Sequence, residues 1–308
     1  MIPPGLHRAL DRLAMAFEDR RGAERGPWRP GPDGPLDVFG PLARLPSPPA
    51  GASTFSAPSP APFADDRLRV HVSRARGSPR ATAILVPPWK IPSRRLLAGW
   101  VRMLCRAGFD TWIYVPPHHL ERRPAGARSG HGFVSPDLGR IRSALAQSVL
   151  ELRACAALAG EAGPVAVVGL SLGALVAAWA ATGPEALDAT ALVAPPADLA
   201  AVLRHTRIGA RYGRAAADAG GPLPGPSELE ARLRPLVPLD RRPTSRRVLV
   251  AAGVEDRIAL SGPSDLATAW GVPLRAYPRG HMTLLFACAA ARRDVSTFLS
   301  GPLASAES

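Results

Sequence analysis

Lysine is almost missing from this chain. Of its 38 basic residues only Lys90 is a lysine, and the rest are arginine. A formal charge of +13 and a pI near 11.2 taken alone point to nucleic acid. The arginines, however, are scattered rather than gathered in a stripe. Their excess goes with abundant Ala, Pro and Gly, a composition that follows from G+C-rich coding. No nucleic-acid partner is therefore expected, although the charge stays compatible with anionic substrates or membrane surfaces. Cysteine is scarce as well. Cys105, Cys155 and Cys288 are odd in number and widely spaced, which excludes a disulfide framework and a zinc pattern. They read as buried free thiols in a reducing compartment. The first 21 residues have no long apolar run, because Arg8, Asp11, Arg12, Glu18 and Asp19 interrupt it. No secretory signal is expected, and the expected location is cytoplasmic.

What is present is enough apolar residue, 46% of 308, to bury a full core in one large domain with additions. Leu6, Leu10, Leu13, Ala14 and Phe17 recur at helical spacing and predict a short amphipathic helix. From Pro27 to Pro62 there are 11 prolines among many Gly, Ser and Ala. Such a stretch excludes a packed helix or a central strand and predicts a linker or an arm wrapped on the surface. Residues 1–64 are read as an N-terminal helix and Pro-rich arm, the helix either docked on the main domain or covering a site mouth.

From about residue 65 to 308 the pattern alternates. Strands are expected at Leu68–Val72, Ala81–Val86, Thr111–Val115, Pro164–Val168, Thr190–Ala194, Arg247–Ala252 and Pro273–Tyr277. Helices are expected at Arg94–Ala107, Leu138–Leu158, Ala174–Ala181, Ser264–Trp270 and Leu284–Leu299. This order predicts an α/β fold, a mostly parallel sheet with helices on both faces, whose reactive residues lie beyond the carboxyl ends of the strands. The stretch Asp198–Arg246 has no strand-like run. It carries helical pieces at Leu199–Thr206 and Ser227–Leu233 around a Gly/Pro-rich centre, and is read as an insertion over about 199–245.

The most informative motif is Gly169-Leu170-Ser171-Leu172-Gly173. An apolar strand-like run precedes it and an Ala/Leu-rich helical run follows, the context of a nucleophile elbow. Small residues stand two before and two after the serine, where side chains would collide in a sharp turn. The hydroxyl is thrust out at a strand end, where the following helix aims its N–H groups. Ala162–Pro184 carries no charge and is about long enough to cross a bilayer. Its glycines and its β-branched residues crowded at one end instead favour a buried strand followed by a buried helix. No transmembrane segment is expected.

A serine needs a base, and the base an orienting acid. Val248–Ala252 runs into Gly253-Val254-Glu255-Asp256, and the last strand runs into Gly280-His281. Both sit on the same sheet edge as Ser171, in the order Ser, Asp, His. On these residues the chain resembles the α/β-hydrolase fold superfamily, as a serine hydrolase or esterase-like member, from about residue 66 to the end. The resemblance implies Ser171 as nucleophile, Asp256 as acid in a strand–Gly-x-x-Asp pattern, and His281 as base. Glu255 and Asp198 remain rival acids, and Arg257 a rival partner for Asp256. The resemblance also implies a cap in the 199–245 insertion.

It further implies an oxyanion hole, with one donor from the Leu172 N–H and a second from the loop after Ile84–Val86. Pro87 and Pro88 stand there and have no N–H, so Trp89 is the expected second donor; otherwise the hole is malformed. His118 and His119 follow a strand end and are candidate substrate contacts. Arg122, Arg123 and Arg128 are candidates for an anionic substrate group or a solvated loop. No metal spacing accompanies the two histidines, and no cofactor is expected. The expected function is cleavage of a carboxylic ester or thioester of a small-molecule acyl substrate through an acyl-enzyme. The alternatives are an acyltransferase on the same triad or a non-catalytic binding protein.

Overall fold

Apolar strands that alternate with helices must bury both faces of one sheet. The computed structural model, which describes Ala9, Asp11 and residues 26–62, 66–185 and 187–302, does so with eight strands. They are β1 (Thr54–Pro58), β2 (Arg67–Ser73), β3 (Ala81–Val86), β4 (Phe109–Val115), β5 (Val165–Leu170), β6 (Ala189–Val193), β7 (Val248–Gly253) and β8 (Leu274–Tyr277). Their order across the sheet is β1-β2-β4-β3-β5-β6-β7-β8. β2 runs antiparallel to β1 and to β4, and every other pair is parallel. β4 and β5 are buried at every position, which is why they read as continuous apolar runs rather than alternating ones. Chain order reverses about β3, which pairs with β4 on one side and β5 on the other. A crevice opens at such a reversal, at the carboxyl ends of the strands.

Nine helices connect and cover the strands among the described residues: α1 (Ala98–Arg106), α2 (Leu138–Gly160), α3 (Leu172–Ala180), α4 (Leu199–His205), α5 (Arg207–Asp218), α6 (Pro226–Leu233), α7 (Gly262–Trp270), α8 (His281–Ala287) and α9 (Ala289–Leu299). Val149, Trp179 and Trp270 of α2, α3 and α7 pack on one face with Val167 and Val250. Trp100, Leu284 and Val295 of α1, α8 and α9 pack on the other with Leu85 and Val168. The charge-free run Ala162–Pro184 is divided between β5 and α3, and no helix among the described residues is long and apolar enough to cross a membrane.

The Pro-rich stretch lies across α2 and ends in a strand. Its prolines cannot donate to a ladder, and some of its carbonyl groups are taken up by side chains of α2. Arg142 donates to the carbonyls of Gly34 and Pro35, both at 2.9 Å, and Arg153 donates to that of Val38. Leu36, Val38 and Leu45 are buried beneath it, each side chain stabilising the contact by about 1.5–3 kcal/mol. β1 then forms the sheet's edge, where a terminal Pro58 is tolerated.

Several elements depart from the sequence reading, β1 among them, since it lies in the stretch read as a linker or arm. Arg207–Asp218 is a helix that it missed. Gly209 and Gly213 weaken its propensity, yet Gly209 is required, since a Cβ there would lie 1.9 Å from the Leu203 carbonyl oxygen where α5 crosses α4. The expected single helix Leu284–Leu299 is two, broken at Cys288, whose sulfur accepts from the Ala291 N–H at 3.4 Å. The segment Arg94–Ala107 opens with a 3-10 turn, Arg94–Leu97, before α1. The helix expected over Leu6–Phe17 lies outside the described residues except for Ala9 and Asp11, both helical.

Candidate active site

Ser171 stands between β5 and α3 with φ 52° and ψ −117°, a backbone conformation costly for a residue with a side chain. It persists because its neighbours leave no other path. A Cβ on Gly169 would lie 2.5 Å from Ala174 Cα, and one on Gly173 would lie 2.3 Å from the Val86 carbonyl oxygen. The Ser171 N–H donates to the Val193 carbonyl at 2.8 Å, tying the turn to the end of β6.

The carboxyl ends of β7 and β8 bring the other two groups to this point. His281 opens α8, three residues beyond Pro278. The Asp256 turn is closed by its own carboxylate, whose Oδ1 accepts from the N–H groups of Ile258 and Ala259 at 2.8 and 2.9 Å. Its Oδ2 accepts from His281 Nδ1 at 2.7 Å. With that proton on Nδ1, Nε2 is an acceptor and takes the Ser171 hydroxyl at 2.8 Å. The three side chains are buried together, with residue exposures of 8% (Ser171), 7% (Asp256) and 3% (His281).

Electrostatics follow from this line. Burial opposes ionisation of Asp256, but the His281 ring and two backbone N–H groups outweigh it and hold its pKa below 3.8. Burial likewise opposes a charge on His281, and the Asp256 carboxylate overcomes that, raising the pKa above 6.5. The arrangement thus keeps a carboxylate at Nδ1 and favours a proton on the ring.

The loop after β3 runs alongside the start of α3, with the Val86 and Pro87 carbonyl oxygens against Gly173. Trp89 is fixed in that loop by its indole N–H, which donates to the Gly130 carbonyl at 2.9 Å. Lys90 Nζ lies 4.3 Å above its ring and the Tyr212 ring of α5 is 6.2 Å away. Leu172 is the first residue of α3, so its N–H has no acceptor within the helix.

No protein-family model and no curated protein matches the chain. Solved structures do. The chain is similar to an esterase of Pyrococcus furiosus, at 16% identity and a TM-score of 0.52 over 77% of this chain and 88% of that one. It is similar to the esterase domain of a Rhodothermus marinus protein, at 17% identity and 0.51 over 80% and 95%. It also matches an acylaminoacyl peptidase of Pyrococcus horikoshii, at 14% identity and 0.54 over 80% of this chain but 40% of that longer one. The chain has the α/β-hydrolase fold.

Within this α/β-hydrolase fold one rival acid lies elsewhere. Asp198 caps α4, accepting from the Ala201 N–H at 2.7 Å. Arg257 is exposed, and the Asp256 carboxylate meets His281 instead. His119 is fully buried, donating from Nδ1 to the Pro117 carbonyl at 2.8 Å and packing edge-on against Phe133. Burial lowers its pKa to about 4. His118 is half-buried with φ 63° and its ring lies against Gly132. Arg122 corrects the expectation of an anionic-substrate contact. Its side chain is buried and spans Glu151 at 2.6 and 2.9 Å and Asp66 at 2.5 Å. The Glu151 carboxylate of α2 lies inside the protein with Tyr114, Ser59 and Gln147 also donating to it, and an arginine is what such a charge requires. Among the described residues no group of three or more His, Cys, Asp or Glu is placed to hold a metal ion.

One residue at this site was missed. Asp11 is 1% exposed and its carboxylate accepts from the backbone N–H groups of His281 and Met282 at 2.8 and 2.9 Å. In sequence it is one of several charges in an amphipathic helix 270 residues from His281, and no local signal distinguishes it.

Proposed function

We propose that this chain is a serine hydrolase that cleaves a carboxylic ester or thioester of a small acyl substrate. The observation that carries the reading is the continuous line of hydrogen bonds from Asp256 through His281 to Ser171, at a turn strained to present that serine. Ser171 Oγ attacks the carbonyl carbon while His281 Nε2 takes its proton. The carbonyl oxygen becomes an oxyanion and receives the N–H groups of Leu172 and Trp89. Asp256 holds the ring and stabilises its cation. The intermediate collapses, the carbon–oxygen or carbon–sulfur bond to the leaving group breaks, and His281 returns the proton to the departing alcohol or thiol. Water, deprotonated by His281, then attacks the acyl-enzyme, and its proton passes to Ser171 as the acid leaves. Helices α4–α6 follow β6 and bring Tyr212 to Trp89, which supports a cap over this edge.

The test is labelling with a fluorophosphonate probe, with mass spectrometry of the modified peptide. Modification of Ser171, absent in Ser171→Ala, is the expected result. A folded wild-type protein that takes no label at Ser171 would remove the reading and favour a non-catalytic binding protein. Product analysis with water and with added alcohols then separates hydrolysis from acyl transfer.

A further inference from the structure

The residue that the serine-hydrolase reading leaves unused is Asp11. A carboxylate at 1% exposure is costly to bury unless it is bonded, and among the described residues the bonds of Asp11 run to α8. The first N–H groups of a helix lack intrahelical acceptors. Asp11 Oδ2 takes that of His281 and Oδ1 that of Met282. The site is shaped for it, since a Cβ on Gly280 would lie 2.3 Å from Asp11 Oδ2. The same backbone is gripped on a second side by Thr283, whose hydroxyl accepts from the Gly280 N–H and lies 3.1 Å from the Gly280 carbonyl oxygen. At its other end, the Trp100 indole N–H donates to the Leu285 carbonyl at 2.7 Å.

We propose that Asp11 is a positioning residue of the active site, a contribution of the N-terminal segment that holds the start of α8, and with it the His281 ring, in register with Ser171 and Asp256. The proposal rests on the serine-hydrolase reading. Asp11 does not touch the reacting atoms and acts through the backbone of the base. It also acts through its charge. Among the described residues, the ionisable groups that bear on His281 are Asp256, from the loop after β7, and Asp11; those that bear on Asp11 are His281 and Asp256. Burial raises the Asp11 pKa and the two N–H groups oppose that rise. Ionised Asp11 favours the imidazolium form of His281, so its removal makes the ring easier to deprotonate.

The experiment measures the rate of fluorophosphonate labelling at Ser171 against pH, with a melting curve, for the full-length wild type, Asp11→Asn, Asp11→Ala and Gly280→Ala. Asp11→Asn keeps the size of the side chain but sets an amide NH2 against one of two N–H donors. It should slow labelling roughly 10- to 100-fold and move the acid limb of the rate down by roughly one pH unit. Gly280→Ala, whose methyl displaces the carboxylate, should act in the same direction. Where Asp11→Ala does not fold, the other two variants carry the test. A folded Asp11→Asn with the wild-type rate and limb overturns the proposal. So does one that melts earlier with an unchanged limb, because a purely structural cap leaves the base's titration alone. A wild type that takes no label overturns the serine-hydrolase reading itself, and the proposal with it.

Discussion

A Cβ on Gly173 would lie 2.3 Å from the Val86 carbonyl oxygen and 2.6 Å from that of Pro87. The first turn of α3 and the loop after β3 are therefore in direct backbone contact. Both contacted atoms are main-chain, so neither can swing aside as a side chain would. Gly173→Ala should push the Pro87–Trp89 loop away from Leu172 and separate the two expected oxyanion donors. A loss of roughly 10²- to 10³-fold in the rate of Ser171 labelling is expected, with a destabilisation of about 1–3 kcal/mol. Labelling kinetics and urea denaturation read the two separately.

Asp256 and Asp198 were rivals for the acid in the sequence, and their partners now separate them. Asp256→Asn keeps an oxygen for Ile258 and Ala259 but no longer holds the proton at His281 Nδ1. A fall on the order of 10⁴-fold in ester turnover is expected in a protein that still folds. Asp198→Asn replaces one good helix cap by another and should leave turnover within about twofold. Equal losses in both variants would contradict the pairing.

The pH dependence follows from the direction of one shift. In the proposed mechanism the neutral imidazole is the base, so activity is expected to appear as His281 loses its proton. Its pKa lies above the ordinary 6.5 because the Asp256 carboxylate outweighs burial. The acid limb of kcat/KM for an uncharged ester should therefore centre above pH 6.5. Rates measured from pH 5 to 9 check this, and a limb below the ordinary histidine value would refute it.

Arg122 and Glu151 predict a stability effect without a direct catalytic one. Arg122 side-chain exposure is 3% and that of Glu151 is 0%. Arg122→Ala strands a buried carboxylate and should cost about 3–5 kcal/mol, measured by denaturation at pH 7. Replacing both, as Arg122→Met with Glu151→Leu, should restore much of the loss, because no buried charge is then left unpaired and the Asp66 carboxylate it also releases is exposed. Ser171 labelling per folded molecule should be little changed in the double variant.

Much of this architecture was legible because it is local. β3 is found at Ala81–Val86 as expected, and β4, β5 and β7 differ from expectation only by a few terminal residues. Buried parallel strands write themselves as unbroken apolar runs, and α2 starts at Leu138 as its periodicity predicts, capped by Asp137, whose carboxylate accepts from the Arg140 N–H. α5 was not legible, because its glycines answer a crossing with α4 and not a helical preference of their own. Arg122 was misread because its sequence neighbourhood is arginine-rich and loop-like, while its partner Glu151 is 29 residues away on another element.

The sequence by itself determined most of the succession of strands and helices, the elbow around Ser171, and the residue types that stand at the ends of β5, β7 and β8. These depend on hydrophobic periodicity and on turn sterics, which act over a few residues. Only the tertiary structure decided which acid meets His281, that His119 is sealed against Phe133, and that Asp11 lies at the start of α8. Those outcomes turn on distances of about 3 Å between groups far apart in the chain. Such distances are set by how whole elements pack, and no local pattern records them.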